Sequence, residues 1–514
     1  LLTFCKDIHI LKINPTSWLL FYWLNLLPLM NHCQTYMKQK FVFFSVFLMV
    51  FYSYGQTPCA GGYAGEYPCS NYDLLSNIPV STLANSSGNP EGSDVWGWTD
   101  SETGKEYAIA AMTNSTAFVD ITDPINPIFL GRLNSNAGNN YWRDVKIYGN
   151  YAFIVADNVG NHGMQVFDLT RLRDITGPET LSPDVVYNDV TSCHNIVINE
   201  ATAVAYLVGC NNYSGGPNFV DISDPLNPTS LGGYSLDGYT HDAQVITYNG
   251  PDTEYTGKEI LVGSNANKVV ILDVTDKSNI IKITEFDYPQ IGYTHQGWFT
   301  DDQRFFLLGD ETDEQNFGIN TRTLVFDFQD LDNPTQIDTY YGASSAIDHN
   351  GYVQGTDFFM ASYRAGMRVL DISNIGGTDN QLTEIGYFDT YPQNNGTAFN
   401  GAWSVYPYFA SGNIIINDIE RGLFVVRKSG TLGSVEVLKN RFSISPNPTN
   451  KSPIIKATQN HQIKSVSVFN ILGRRIFFKQ NINNKEFVLP IEKNLKGVYI
   501  VKVNNIISKK LIIY

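Results

Sequence analysis

The stretches HNIVI (194–198), HDAQVI (241–246), HQGWF (295–299) and HNGYV (349–353) each set a histidine and a polar residue ahead of a β-type run, at intervals of 47, 54 and 54 residues. A period near 50 residues with room for four short strands is the mark of a propeller blade. The polar residue after each histidine belongs to a longer series: Asp94, Asp144, Asn195, Asp242, Gln296, Asn350 and Asn400. That series predicts seven blades. A second series, an apolar strand ending in Asp, falls later in each unit at Asp120, Asp168, Asp221, Asp273, Asp327 and Asp371, whereas the seventh unit has Arg427 there. The Asp-x-Ser/Thr-Asp-Pro corners, as in FVDITDPINP, predict tight turns in which an Asx side chain and a fixed proline φ reverse the chain. The last unit lacks a fourth strand of its own, and Asn77–Leu83 ahead of the first unit is expected to supply it, closing the ring and removing bare sheet edges.

Composition divides the chain. Residues 57–440 hold 47 Asp and Glu against 18 Lys and Arg, a net charge of −29, whereas residues 441–514 hold 2 against 13, a net of +11. An acidic body argues against nucleic acid and against an anionic membrane surface as partners. The expected organisation is a start-site artefact or leader over 1–36, a signal peptide over 37–56, a disulfide loop and ring-closing strand over 57–90, the seven-bladed propeller over 91–428, a linker over 429–440 and a separate small domain over 441–514. The charged start at Met37–Lys40, the apolar run after it and the small Gly55 fit a secretory signal, while the apolar run Trp18–Met30 is too short for the ~20 residues a membrane span needs. No transmembrane span is expected in the mature protein. Export makes the four remaining cysteines readable as two disulfides, Cys59 with Cys69 and Cys193 with Cys210. The rival for Cys193 is a metal thiolate beside His194.

These segments carry a resemblance. The run CAGGYAGEYPCSNYDLLS, DVWGWTD, FVDITDPINP, HGMQVFDLTRLR, THDAQ, YTHQGW and FNGAWSVYPYFASG, across residues 57–428, resembles the choice-of-anchor B family, whose blades are similar to LVIVD repeats. The tail pieces FSISPNPTNKSPI, VSVFNILGRRI and LKGVYIVKV resemble the type IX secretion sorting domain of Bacteroidetes. The resemblance implies an all-β chain, a propeller followed by a small Ig-like β-sandwich, delivered to the cell surface or medium by the type IX secretion machinery. It names no reaction.

In a blade, the start of the innermost strand and the end of its neighbour share a face, so His194, His241, His295 and His349 should crowd one end of the axis. His162, Arg143, Asp157, Asp310, Glu311 and Arg364 are expected on the same face and make up the candidate ligand-binding face. The position before the polar marker reads Ser93, Arg143, His194, His241, His295, His349 and Phe399. Histidine is thus confined to four consecutive units, which a purely structural duty does not explain. Converging neutral imidazoles can hold zinc, copper or iron. The competing readings are an acid-base cluster without metal, or histidines that bond their neighbours and plug the channel with water. The acidic run Asp310–Asn320 offers carboxylates for calcium but lacks EF-hand spacing. Tyr239, Tyr293, Trp298 and Trp403 are candidates for an aromatic rim. Two functions remain: a secreted or cell-surface binding module for an extracellular glycan, peptide or protein, or a metal-dependent hydrolase or oxidase built on the histidine cluster.

Overall fold

The computed structural model describes residues 56–514 except 86–88, 378–381, 431–441, 458–461, 471–474, 491–495 and 505–506. The expected leader over 1–36, nearly all of the signal segment, and most of the linker therefore lie outside the described residues. The described chain is all-β, built from four-stranded antiparallel sheets. Seven sheets with a core of four antiparallel strands, five of them with no further strand, begin at the strands Gly92–Thr99, Arg143–Tyr148, Asn195–Asn199, Asp242–Thr247, Thr294–Phe299, Gly351–Gln354 and Ala402–Tyr406. Each of these inner strands lies against that of the next sheet, and the last lies against the first. This cyclic order is that of a β-propeller.

The repeated sequence signals explain the repeated geometry. Asp120, Asp221, Asp273, Asp327 and Asp371 each accept a hydrogen bond from the backbone N–H two residues on, so the Asx turn after the third strand recurs. In five sheets the third and fourth strands then slip register at the same place, between Phe118 and Val119, Phe219 and Val220, Ile271 and Leu272, Val325 and Phe326, and Val369 and Leu370. Bulges there add the local twist a radiating sheet needs. The polar marker joins neighbouring sheets: Asp94 accepts from Val145 N–H, Asp144 from Ile196 N–H, Asn195 donates to the His241 carbonyl, and Gln296 exchanges two bonds with Gly351.

Closure differs from expectation in register. The strand that completes the seventh sheet is Tyr72–Ile78, paired antiparallel with Gly422–Lys428, and not Asn77–Leu83. Pro79, which cannot donate to the ladder, ends the strand, and Val80–Leu83 turns into a short helix. The Cys59–Cys69 loop contributes Tyr67–Ser70 to the outer edge of the sixth sheet, and Glu179–Leu181 adds a parallel strand to the outer edge of the first. Both additions cover edges that would otherwise be bare. Residues from Phe442 onward form a three-stranded and a four-stranded sheet whose inner faces share one core, including Phe442, Ile455, Val466, Val501 and Leu511. Among the described residues no helix is long and apolar enough to cross a membrane.

Candidate metal centre

The inner strands of the third to sixth sheets set their histidines side by side. Ring centroids are 4.2 Å apart for His194 and His241, 4.5 Å for His241 and His295, and 4.3 Å for His295 and His349. The hydrogen bonds fix how the rings present themselves. His241 Nδ1 lies 3.2 Å from the His295 carbonyl oxygen and His349 Nδ1 lies 2.6 Å from that of Trp403. A carbonyl oxygen can only accept, so both Nδ1 atoms carry the proton and both Nε2 atoms keep a lone pair. His194 Nδ1 meets Asp157 Oδ2 at 3.0 Å in the same manner. This is how ligating histidines are oriented by a second layer of acceptors. His295 differs, with Nδ1 buried and without a hydrogen-bond partner.

Glu311 closes the row. Its Oε1 is 3.6 Å from His349 Nε2 and its Oε2 is 3.9 Å from His295 Nε2. One ligand atom from each of His295, Glu311 and His349 falls within 4.8 Å of the others. Donors around a tetrahedral ion with bonds of about 2.05 Å sit about 3.3 Å apart, so small side-chain shifts bring these three into a coordination shell. The Tyr363 hydroxyl donates to Glu311 Oε1 at 2.8 Å and holds the carboxylate in place. Burial lowers the pKa of His241 and His295 well below the usual imidazole value and that of His349 to about 3, so these rings are neutral, the form that binds metal. Burial pushes Glu311 up to about 7, and the Tyr363 hydroxyl and His194 offset only part of that rise.

The row opens on a cavity of about 600 Å³, lined also by Trp142, Asp157, Tyr239, Tyr293 and Trp403. Asp157 stays below the ordinary carboxylate value: burial opposes its ionisation, but bonds from His194, the Asn158 N–H and Ser192 outweigh it. Gly209 is required here, because φ is +63° and a Cβ would come 2.6 Å from the His194 Cβ. Beside it, Cys193 and Cys210 form a disulfide, which excludes the thiolate-ligand alternative for Cys193.

Four of the residues expected on this face stand elsewhere. Arg143 and His162 bond each other, Nη1 to Nε2 at 3.2 Å, and both are buried outside the cavity wall. His162 Nδ1 bonds the Gly163 carbonyl, so its only lone pair faces the guanidinium and is closed to a metal. Asp310 accepts from the Tyr288 hydroxyl and from the N–H groups of Gly292 and Tyr293, a purely internal duty. Arg364 bonds Asn400 and Asn394 and lies over the Tyr391 ring. Of the aromatic candidates, the half-buried Trp298 packs on Tyr352 away from the cavity and leaves the rim to the other three. The acidic run folds as a short helix, Asp313–Phe317, and its Asp313 and Glu314 gather with Asp348. Asp348, Tyr363 and Trp142 were not singled out by sequence. Asp348 immediately precedes a row histidine, and that adjacency was the available signal.

A model of the LVIVD repeat matches residues 141–161, and a domain of unknown function, DUF8694, matches residues 435–514. No curated protein matches the chain. Among solved structures, PorZ, described as a bacterial surface component of the type-IX secretion system of Porphyromonas gingivalis, is similar with 13% identity and a TM-score of 0.42 over 80% of this chain. The match spans 58% of the length of PorZ. A protein from Lactobacillus plantarum has 11% identity and a TM-score of 0.42, covering 78% of this chain and 98% of that one. The β-propeller domain of Cps50 (Swd1) from Myceliophteria thermophila has 10% identity and a TM-score of 0.41, covering 67% and 98%.

Proposed function

We propose that this chain is an exported seven-bladed propeller that captures an extracellular ligand at a transition-metal ion held by His295, Glu311 and His349. The observation that carries the reading is the convergence of two imidazole Nε2 atoms on one half-buried carboxylate at the floor of an open cavity. Two nitrogens and one carboxylate suit zinc or iron and leave coordination positions for an oxygen or nitrogen donor of the ligand. His194 and His241 extend the row, either completing the shell or contacting the ligand, and Trp142, Tyr239, Tyr293 and Trp403 supply apolar walls. The ligand class is a glycan, peptide or protein segment small enough at its tip for about 600 Å³.

Export is supported by the signal-like segment, the two disulfides and the acidic body. The choice-of-anchor B resemblance supports this reading of the body, and the tail resemblance supports reading residues 441–514 as an Ig-like type IX sorting domain. A second reading, metal-dependent hydrolysis, has one observation in its favour: the Asp157–His194 pair orients a ring whose other nitrogen is free to take a proton.

The test is elemental analysis of the full secreted chain purified without chelator, with reloading by zinc, copper, iron and manganese. One equivalent is expected in the wild type, and its loss is expected on joint replacement His295→Ala and His349→Ala. A protein that neither contains nor takes up any of these metals overturns the metal reading and leaves a metal-free binding cavity.

A further inference from the structure

A second set of ligand atoms stands behind the cavity, on the same two chain segments. Asp313, Glu314 and Asp348 each bring a carboxylate oxygen within 4.8 Å of the others. Their relative exposures are 0%, 2% and 2%. Neither oxygen of Glu314 makes a hydrogen bond of good geometry, although the N–H groups of Glu314 and Asp348 and the Asp313 carboxyl lie close by, and Asp313 Oδ1 and Asp348 Oδ1 are likewise without a well-formed bond. Four such oxygens in a site closed to water is a costly arrangement for ionised carboxylates.

The positive charge at hand does not balance them. Arg322 Nε donates to Asp313 Oδ2 at 2.6 Å, and its Nη2 lies 3.8 Å from Asp310. Among the described residues no Lys or Arg forms an ion pair with Glu314 or Asp348. The chain also makes room for this carboxylate set: a Cβ on Gly309 would fall 2.3 Å from Asp348 Oδ2.

We propose that Asp313, Glu314 and Asp348 bind one calcium ion as a structural site, whatever occupies the cavity. An all-oxygen, carboxylate-rich shell selects a hard cation. Calcium at 2.3–2.6 Å from each donor spans oxygens up to about 4.8 Å apart and accepts bidentate carboxylates. Magnesium, which keeps several of its waters, fits a closed site poorly. The ion would tie the Asp313–Phe317 helix to the segment that carries His349, and so hold Glu311 and His349 in their relative positions.

The experiment uses the full chain stripped with chelator, titrated with calcium chloride and separately with magnesium chloride, and read by calorimetry and by thermal melting. Calcium should bind with one-to-one stoichiometry and raise the melting temperature, with magnesium at least tenfold weaker. Glu314→Gln, which removes a charge without removing volume, should melt no lower than wild type in chelator yet lose about tenfold or more in calcium affinity, because affinity follows the count of charged ligands. The double variant His295→Ala with His349→Ala should keep the calcium response, which separates this site from the cavity metal. Absence of a calcium response in the wild type, or an unchanged response in Glu314→Gln, overturns the proposal in favour of carboxyls that share protons. Loss of the response in the histidine double variant overturns it by placing the calcium in the cavity.

Discussion

The two sides of the ring's mouth occupy equivalent positions and do opposite things. In the third to sixth sheets the residue before the polar marker is His194, His241, His295 or His349, and across the axis it is Phe399, Ser93 or Arg143. On the histidine side, acceptors hold the Nδ1 atoms of three rings and their Nε2 atoms remain for the cavity. On the other side the charged group is satisfied from within: Arg143 donates to the carbonyls of Thr113 and Asn140, to Ser135 Oγ and to His162 Nε2. Burial alone therefore does not make a ligand. His162 and His349 are both buried, both low in pKa and both bonded at Nδ1 to a carbonyl, and only the partner of Nε2 distinguishes structure from site.

The comparison breaks most visibly at Arg143. Replacement by Leu strands the Asn140 carbonyl and His162 Nε2 in the interior and leaves the Thr113 carbonyl and Ser135 Oγ with one partner each, and stability should fall by about 3–5 kcal/mol in denaturant unfolding. Metal content per folded molecule should be unchanged. Loss of metal with retained stability would reverse the assignment of the two sides.

His162 gives the next largest effect, and its sign is fixed. Burial, then the neighbouring Arg143 charge, lowers its pKa to about 4. Between 6.5 and 4 the unfolded chain binds a proton that the folded chain refuses. Its contribution is therefore complete above about pH 6.5 and is lost as pH falls towards 4, by up to about 3 kcal/mol. His162→Gln should reduce the slope of this part of the stability profile by one proton's worth, the slope due to His241, His295 and His349 remaining, as measured by urea unfolding from pH 7.5 to 4. An unaltered profile would mean that the ring is already protonated in the folded protein.

His349→Ala sharpens the other side. It removes one nitrogen from the three-ligand set and should weaken metal retention by about 100-fold, equivalent to about 2.7 kcal/mol. Equilibrium dialysis against a competing chelator measures it. His194→Ala, outside that set, should cost less, and an equal loss would make the centre a true four-histidine one.

Much of this was legible in the chain because repeats compare themselves. The marker series and the Asx corners foretold the sheets, and the confinement of histidine to four units foretold the row. What was hidden depended on side-chain direction across loops. Arg143 and His162 share a face with the row by topology, yet the Gly160–Gly163 turn, with φ of +77° and +68° at its glycines, aims the imidazole inward at the guanidinium. Asp310 and Glu311 are neighbours in sequence, but the first lies on a strand and points into its own loop while the second reaches the cavity. Ring closure missed its register because β propensity alone does not show that Pro79 ends the strand.

The smallest expected effect tests whether the basic tail matters to the mouth at all. Pairing of Tyr72–Ile78 with Gly422–Lys428 is complete by Lys428, and Ser429 adds bonds to Asn71 and Asp73. A chain ended after Gly430 retains every strand of the seven sheets, so its melting temperature and metal content should match the full chain within error. The tail holds its own core, with Phe442, Val466 and Val501 among the residues that fill it, which is the character of a separately folding unit. In a host with type IX secretion the shortened chain should accumulate in the periplasm and fail to reach the surface, as immunoblots of fractionated cells would show. Normal surface delivery would remove the sorting role from residues 441–514, and a lowered melting temperature would show that the ring depends on more than its own closure.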